Sequence, residues 1–238
     1  MKKPLGYIIH EGETNGQNFA VIATFNSSNE KTGSMIQIWI MLTDIHPVEV
    51  VRSGLDAVTI CQGCPFASGN GCYVNMAFAP TNIFKTYKAG KYEKLFPKDY
   101  STVFAGKTVR FGAYGNPTLM PFSIAKAIAK ASKGWTGYFH NWAQMTVVEA
   151  RQWNELFMAS TETQNSYNLA KQLNLRVFHV SPTKPVLNTM ECVNSTKQIE
   201  CRDCLLCAGM SKPAKDIWIA PHGNKANTLP KALKAINV

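Results

Sequence analysis

Seven cysteines fall in two windows and give this chain its sharpest chemical signal. The first window is Cys61-Gln62-Gly63-Cys64, with Cys72 following Gly69-Asn70-Gly71. The second is Cys201-Arg202-Asp203-Cys204-Leu205-Leu206-Cys207, with Cys192 upstream. A two-residue spacer reverses the chain, so thiolates spaced in this way can converge on one ion. In an intracellular chain such spacing reads as a metal site rather than a disulfide framework. Tetrahedral zinc needs four ligands. Cys201, Cys204 and Cys207 find a candidate fourth in His222, which lies 15 residues past Cys207. Cys61, Cys64 and Cys72 find one in Cys192. The rival assignment is an iron–sulfur cluster on one triplet, with a coordination position left open.

The other groups able to do chemistry are carboxylates and histidines placed where strands are expected to end. Asp44 directly follows the apolar run Ile36–Leu42, and Glu162 follows Met158-Ala159-Ser160-Thr161. His140 stands in Tyr138-Phe139-His140-Asn141-Trp142. A carboxylate nucleophile needs a second group to move protons, and Asp44 or Glu162 with His140 would supply the pair. Each also has an ordinary role: Asp44 as a helix cap ahead of Pro47, Glu162 at a helix entry, His140 in a packed interface. Tyr114 and Trp142 could stack an extruded base. Lys85, Lys88 and Lys91 interleave with Tyr87 and Tyr92, a pattern that suits phosphates and stacking but also suits a solvated face.

Elements that could hold these groups are legible in the pattern. Tyr7–His10 and Phe19–Phe25 flank a Gly/Asn-rich turn as in a hairpin, and Met35–Leu42 reads as a third strand. Pro47–Leu55 reads as a short helix. From about residue 100, strands at 108–113, 136–139, 156–159, 176–180 and 216–220 alternate with helices at 121–132, 147–155 and 163–173. On the first of these helices Ile124, Ala127, Ile128 and Ala131 form the apolar face, opposite Lys126, Lys130 and Lys133. Alternation of this kind predicts an α/β fold with a parallel sheet. The expected form is an irregular (β/α) barrel, with an open doubly wound sheet as the other choice. One domain spans 1–238, with a β-rich N-terminal segment over 1–45, alternating β/α structure over 100–224, and a Cys-ligated metal. In either architecture function gathers at the C-terminal ends of parallel strands.

Composition bounds the rest. The chain has 238 residues, 45% of them hydrophobic, enough for a full core. No apolar run is long enough to suggest a membrane span, and Met1-Lys2-Lys3-Pro4-Leu5-Gly6 lacks the apolar stretch of a signal peptide. The expected location is cytoplasmic. Net charge is +10 although only 17% of residues are charged, a bias of sign that favours polyanionic partners, DNA or RNA above all.

Several strings, in order, carry a resemblance: Asn29-Glu30-Lys31-Thr32-Gly33, Cys61-x2-Cys64-Pro65, Cys72-Tyr73, Arg110–Pro117 and the C-x2-C-x2-C run. Together they resemble a Cys-rich family of phage and mobile-element proteins, over most of the chain. In that pattern Asp usually follows Tyr-Gly, where this chain has Asn116. A barrel with a late three-Cys-plus-His zinc site is also similar to the tRNA-guanine transglycosylase superfamily, whose phage branch exchanges guanine in DNA for a 7-deazaguanine. That family spaces its zinc ligands C-x-C-x2-C with a more distant His. The likeness implies a TIM-barrel transferase that modifies DNA by base exchange through a carboxylate nucleophile. Its partners would be DNA and a small-molecule modified base, its cofactor zinc, and its place the host cytoplasm. Two alternatives stand beside it: an iron–sulfur enzyme, radical or redox, and a zinc-stapled nucleic-acid-binding protein without catalysis. The C-x2-C-x7-C spacing differs from the C-x3-C-x2-C of radical-SAM enzymes.

Overall fold

The computed structural model describes residues 4–25, 29–184 and 188–221. Strands β1 (Gly6–Thr14) and β2 (Gln17–Thr24) form an antiparallel hairpin. Its turn is Asn15-Gly16, both at positive φ, the conformation that a two-residue hairpin of matching twist demands. Strand β3 (Ile36–Leu42) pairs antiparallel with β2 and is buried along its whole length. A run so apolar has no solvent face to offer, which fits a strand covered on both sides.

After β3 come helix α1 (Pro47–Arg52), a single turn α2 (Leu55–Val58), helix α3 (Ala79–Lys88), the short strand β4 (Glu93–Lys94) and helix α4 (Tyr100–Phe104). The expected helix over 47–55 is therefore two pieces, divided at Gly54, which sits at φ +75°. Then follow β5 (Thr108–Tyr114), α5 (Phe122–Ala131), β6 (Gly134–Thr136), β7 (Tyr138–Phe139), α6 (Val147–Asn154), β8 (Met158–Thr161), α7 (Gln164–Gln172) and β9 (Val177–Val180). The described part ends with β10 (Thr189–Glu191), α8 (Val193–Lys197), α9 (Cys201–Cys204) and β11 (Asp216–Ile219). The strand expected at 156–159 begins two residues later, because the Leu156 and Phe157 amides still bond back to the Trp153 carbonyl at the end of α6.

The fold is mixed α/β, with a six-stranded sheet ordered β4-β1-β2-β3-β5-β6 and a five-stranded sheet ordered β10-β11-β9-β8-β7. Strands β3, β5 and β6 pair in parallel, as do β7, β8, β9, β11 and β10. Only Gly137 separates β6 from β7, so one segment of chain passes from the first sheet to the second. A side chain there would collide with the Phe157 ring, since a Cβ would stand 2.5 Å from Cδ1.

Alternation along these strands sorts the core into two faces. Phe139, Ala159 and Val177 face the helices, packing with Ala125, Ile128, Ala150, Trp153, Tyr167 and Ala170 in the main core. Met158, Phe178, Ile217 and Ile219 face the other way and pack with Cys192 and Cys207 in a second cluster. Buried apolar contact of this size is the main stabilising term, and truncating one such side chain to Ala typically costs about 2–5 kcal/mol. The cysteine-bearing end of the chain is also latched to its beginning. The Cys201 amide donates to the Lys31 carbonyl at 2.9 Å, and Arg202 Nη1 donates to Ser34 Oγ at 3.1 Å.

Candidate metal–sulfur site at the strand ends

The connection between α2 and α3 carries Cys61, Cys64 and Cys72. Its path is set by a buried carboxylate: Asp56 accepts hydrogen bonds from the Ser68 amide and hydroxyl, both at 2.9 Å. Tight reversals at Gln62 and Gly63, both at positive φ, return the chain between the first two cysteines. A polar knot fastens this loop to the strand ends. Asn116, just past β5, donates from Nδ2 to Gln62 Oε1 at 3.1 Å and to Asn141 Oδ1 at 2.8 Å. Asn141, past β7, donates back to Gln62 Oε1 at 3.0 Å, and the Asn116 amide bonds the Ile60 carbonyl at 2.7 Å. Asn116 is 1% exposed, so these bonds satisfy groups that would otherwise be costly to bury.

His140 and Glu162 converge at the same end. Their Nδ1 and Oε1 atoms are 3.6 Å apart, and Ser160 Oγ donates to Glu162 Oε1 at 2.9 Å. Burial works against charge on His140, but the neighbouring Cys64 and Glu162 outweigh it and hold the imidazole up to about 10. His140 Nδ1 is nevertheless buried without a hydrogen-bond partner, and so is the Tyr114 hydroxyl. Burial, with Cys61, Asp56, Cys72 and Cys64 close by, pushes the Tyr114 phenol far above its ordinary range. Burial also pushes the Cys61 thiol up. One position inward, His179 Nδ1 lies 2.8 Å from Thr161 Oγ1 and the ring meets the edge of Tyr167. Burial lowers His179 to about 4, so it is neutral at pH 7.

The structure seats Cys192 with the second triplet rather than the first. Cys192, Cys201, Cys204 and Cys207 line one pocket, floored by Thr136, Tyr138 and Ile217. Burial pushes the Cys201 and Cys204 thiols up, and Cys207 to about 12 despite help from Tyr138. Between the two cysteine groups lies Arg110, 6% exposed. Its guanidinium stacks 4.2 Å over the Tyr138 ring and donates to Tyr73 Oη at 3.4 Å, one residue past Cys72. No ion pair among the described residues joins it to a carboxylate. Among the described residues, too, no three His, Cys, Asp or Glu side chains stand close enough to hold an ion in this conformation. His222 lies outside the described residues.

The remaining expected groups are elsewhere. Asp44 is on the surface, where a hydrogen bond from Asn18 and another from Thr43 hold its carboxyl below the ordinary range and Lys88 Nζ stands 3.6 Å away. It is not brought together with Glu162 or His140. Tyr114 and Trp142, expected to offer stacking faces, are both 3% exposed, and the Trp142 indole donates to the Ser160 carbonyl at 2.7 Å. Lys85, Lys88 and Lys91 are exposed on α3 and the turn after it. Sequence reasoning marked Asn116 and Asn141 as polar groups past strand ends, but the knot they make with Gln62 and the burial of Arg110 escaped it. Its one available signal was the run Arg110–Pro117, which marks both Arg110 and Asn116.

No helix among the described residues is long and apolar enough to cross a membrane. No protein-family model matches the chain, and no curated protein or solved structure matches it either.

Proposed function

We propose that the chain is an iron–sulfur enzyme whose cluster is held by Cys61, Cys64 and Cys72, and whose chemistry is radical or redox. The observation that carries this reading is the buried Tyr114 hydroxyl, left without a hydrogen bond beside Cys61, Cys64 and Cys72, with His140 buried against Cys64 at the same end. Orphaned buried donors are rare and call for an acceptor, and cluster sulfides and thiolates accept hydrogen bonds. Cys61, Cys64 and Cys72 would hold the cluster, which when bound would supply one-electron chemistry.

The protein's own residues define what can happen around that position. His140, flanked by Cys64 and by Glu162 Oε1 3.6 Å from its Nδ1, would hold or pass a proton there. Ser160 donates to the same Oε1 and holds Glu162 in place beside His140. Gln62, Asn116 and Asn141 lock the loop in register with β5 and β7. Trp142 is buried beside them, its indole bonded to the Ser160 carbonyl. The excess of positive charge favours a nucleic-acid substrate. Base exchange through Asp44 has less support, since that carboxylate is solvated and set against Lys88.

Anaerobic purification tests the reading. Brown protein with about four iron and four sulfide per chain is expected. Cys64→Ser should bleach it without unfolding the chain. Colourless protein without iron, after reconstitution with ferrous iron and sulfide, overturns the proposal.

A further inference from the structure

We propose that Cys192, Cys201, Cys204 and Cys207 form a second, closed metal site, with Cys192 as its fourth ligand, that takes a divalent thiophilic ion such as zinc. This site is separate from the cluster reading and does not depend on it. Four cysteines line one pocket on the sheet face opposite helices α5 to α7. Three come from α9 and the turn after it, and the fourth from the cap of α8. The chain between them is short, and the Leu205 backbone is left-handed, which turns Cys207 back toward Cys201 and Cys204. No three of these side chains stand close enough for an ion as they are placed, so binding would have to turn the thiols inward about χ1, toward the roughly 2.3 Å that zinc–thiolate bonds require.

The surroundings fit a negatively charged centre. Four thiolates around a divalent ion leave two negative charges, and burying them without compensation is costly. Arg110 is buried beside Cys201 without a carboxylate partner, and Lys31 lies near Cys192, Cys201 and Cys207. Those two cations supply the two positive charges. The binding step balances as four thiols and one divalent ion giving a tetrathiolate complex and four released protons. All four ligands are sulfur, and the other pocket walls are Thr136, Tyr138, Asn194 and aliphatic side chains, so four thiolates would fill the ion's coordination and leave no position for substrate. The site thus pins the 192–207 segment to Tyr138 on β7 rather than performing a reaction.

The test uses the full chain, apo after chelation under reducing conditions, then loaded with zinc alone. Site-by-site alkylation is followed by mass spectrometry, in the zinc-loaded and chelated states. Cys192 is expected to gain protection together with Cys201, Cys204 and Cys207, by at least tenfold in rate. In a Cys64→Ser background the same four should still be protected, which separates this site from the first. Cys192→Ser should lower zinc affinity by at least a hundredfold, and His222→Ala should leave it unchanged. Because the alkylation comparison uses the unmutated chain, it stands even where Cys192→Ser fails to fold. Equal alkylation of Cys192 with and without zinc, or loss of zinc in His222→Ala alone, overturns the assignment.

Discussion

Acid should destabilise this protein through one histidine, and His179→Asn should remove that effect. His179 is 2% exposed on β9, bonded to Thr161 and packed against Tyr167, with Glu162 as the nearby opposing charge. Burial lowers its pKa from 6.5 to about 4. Between those values the unfolded chain carries a proton that the folded chain does not. Stability therefore rises with pH across that window: it is full above 6.5 and is lost as pH falls toward 4. The separation of about 2.5 units, at ~1.4 kcal/mol per unit, sets a total loss of about 3.4 kcal/mol, roughly three quarters of it by pH 4.5. Asn can still bond Thr161 but does not titrate. Urea unfolding at pH 7.5 and pH 4.5 should show that the drop for the wild type exceeds that for His179→Asn by about 2.5 kcal/mol. Equal drops in the two proteins would mean that His179 is protonated in the folded state, and the account of its burial would be refuted.

Two further outcomes follow from the same geometry. Asn116→Leu should cost about 2–3 kcal/mol, because Gln62 Oε1 and Asn141 Oδ1 each lose a buried donor, whereas Asn116→Asp should cost less since both amides can turn to donate; identical losses in urea would show that the knot does not bear on stability. DNA affinity should fall linearly on a logarithmic salt scale, and Lys85→Ala or Lys91→Ala should each reduce the slope by about one, with a smaller change for Lys88, which faces Asp44; absence of binding at low salt would point to a protein or small-molecule partner instead.

The strands were legible where apolar residues run together or alternate, as in Ile36–Leu42 and Val177–Val180. Helix α5 was legible too, although its buried face centres on Ala125, Ile128 and Ala129, a slight rotation from the stripe through Ile124 and Ala131. Small alanines on neighbouring positions leave the stripe's angle undetermined until the sheet is in place. Helix α3 was hidden because its sequence is polar and aromatic, with few positions that announce a face. Cysteine spacing marked both sulfur groups, but spacing within a triplet says nothing of a ligand from another segment. Only tertiary packing put Cys192 beside the second triplet and His140 beside Cys64. Asp44 shows the converse: its place after a strand was read correctly, yet position along the chain does not reveal which way a side chain turns.

The latch between Cys201 and Lys31 bears on how the chain is made. Arg202 and Ser34 are 168 residues apart in sequence, so this contact closes one of the longest loops the fold contains. Loop closure of that span is entropically unfavourable and comes late. On the ribosome, the segment before β3 waits for its partner until residue 201 has emerged. Nascent chains that have formed both sheets but lack this closure expose Met158, Phe178 and Ile217 to chaperones and proteases.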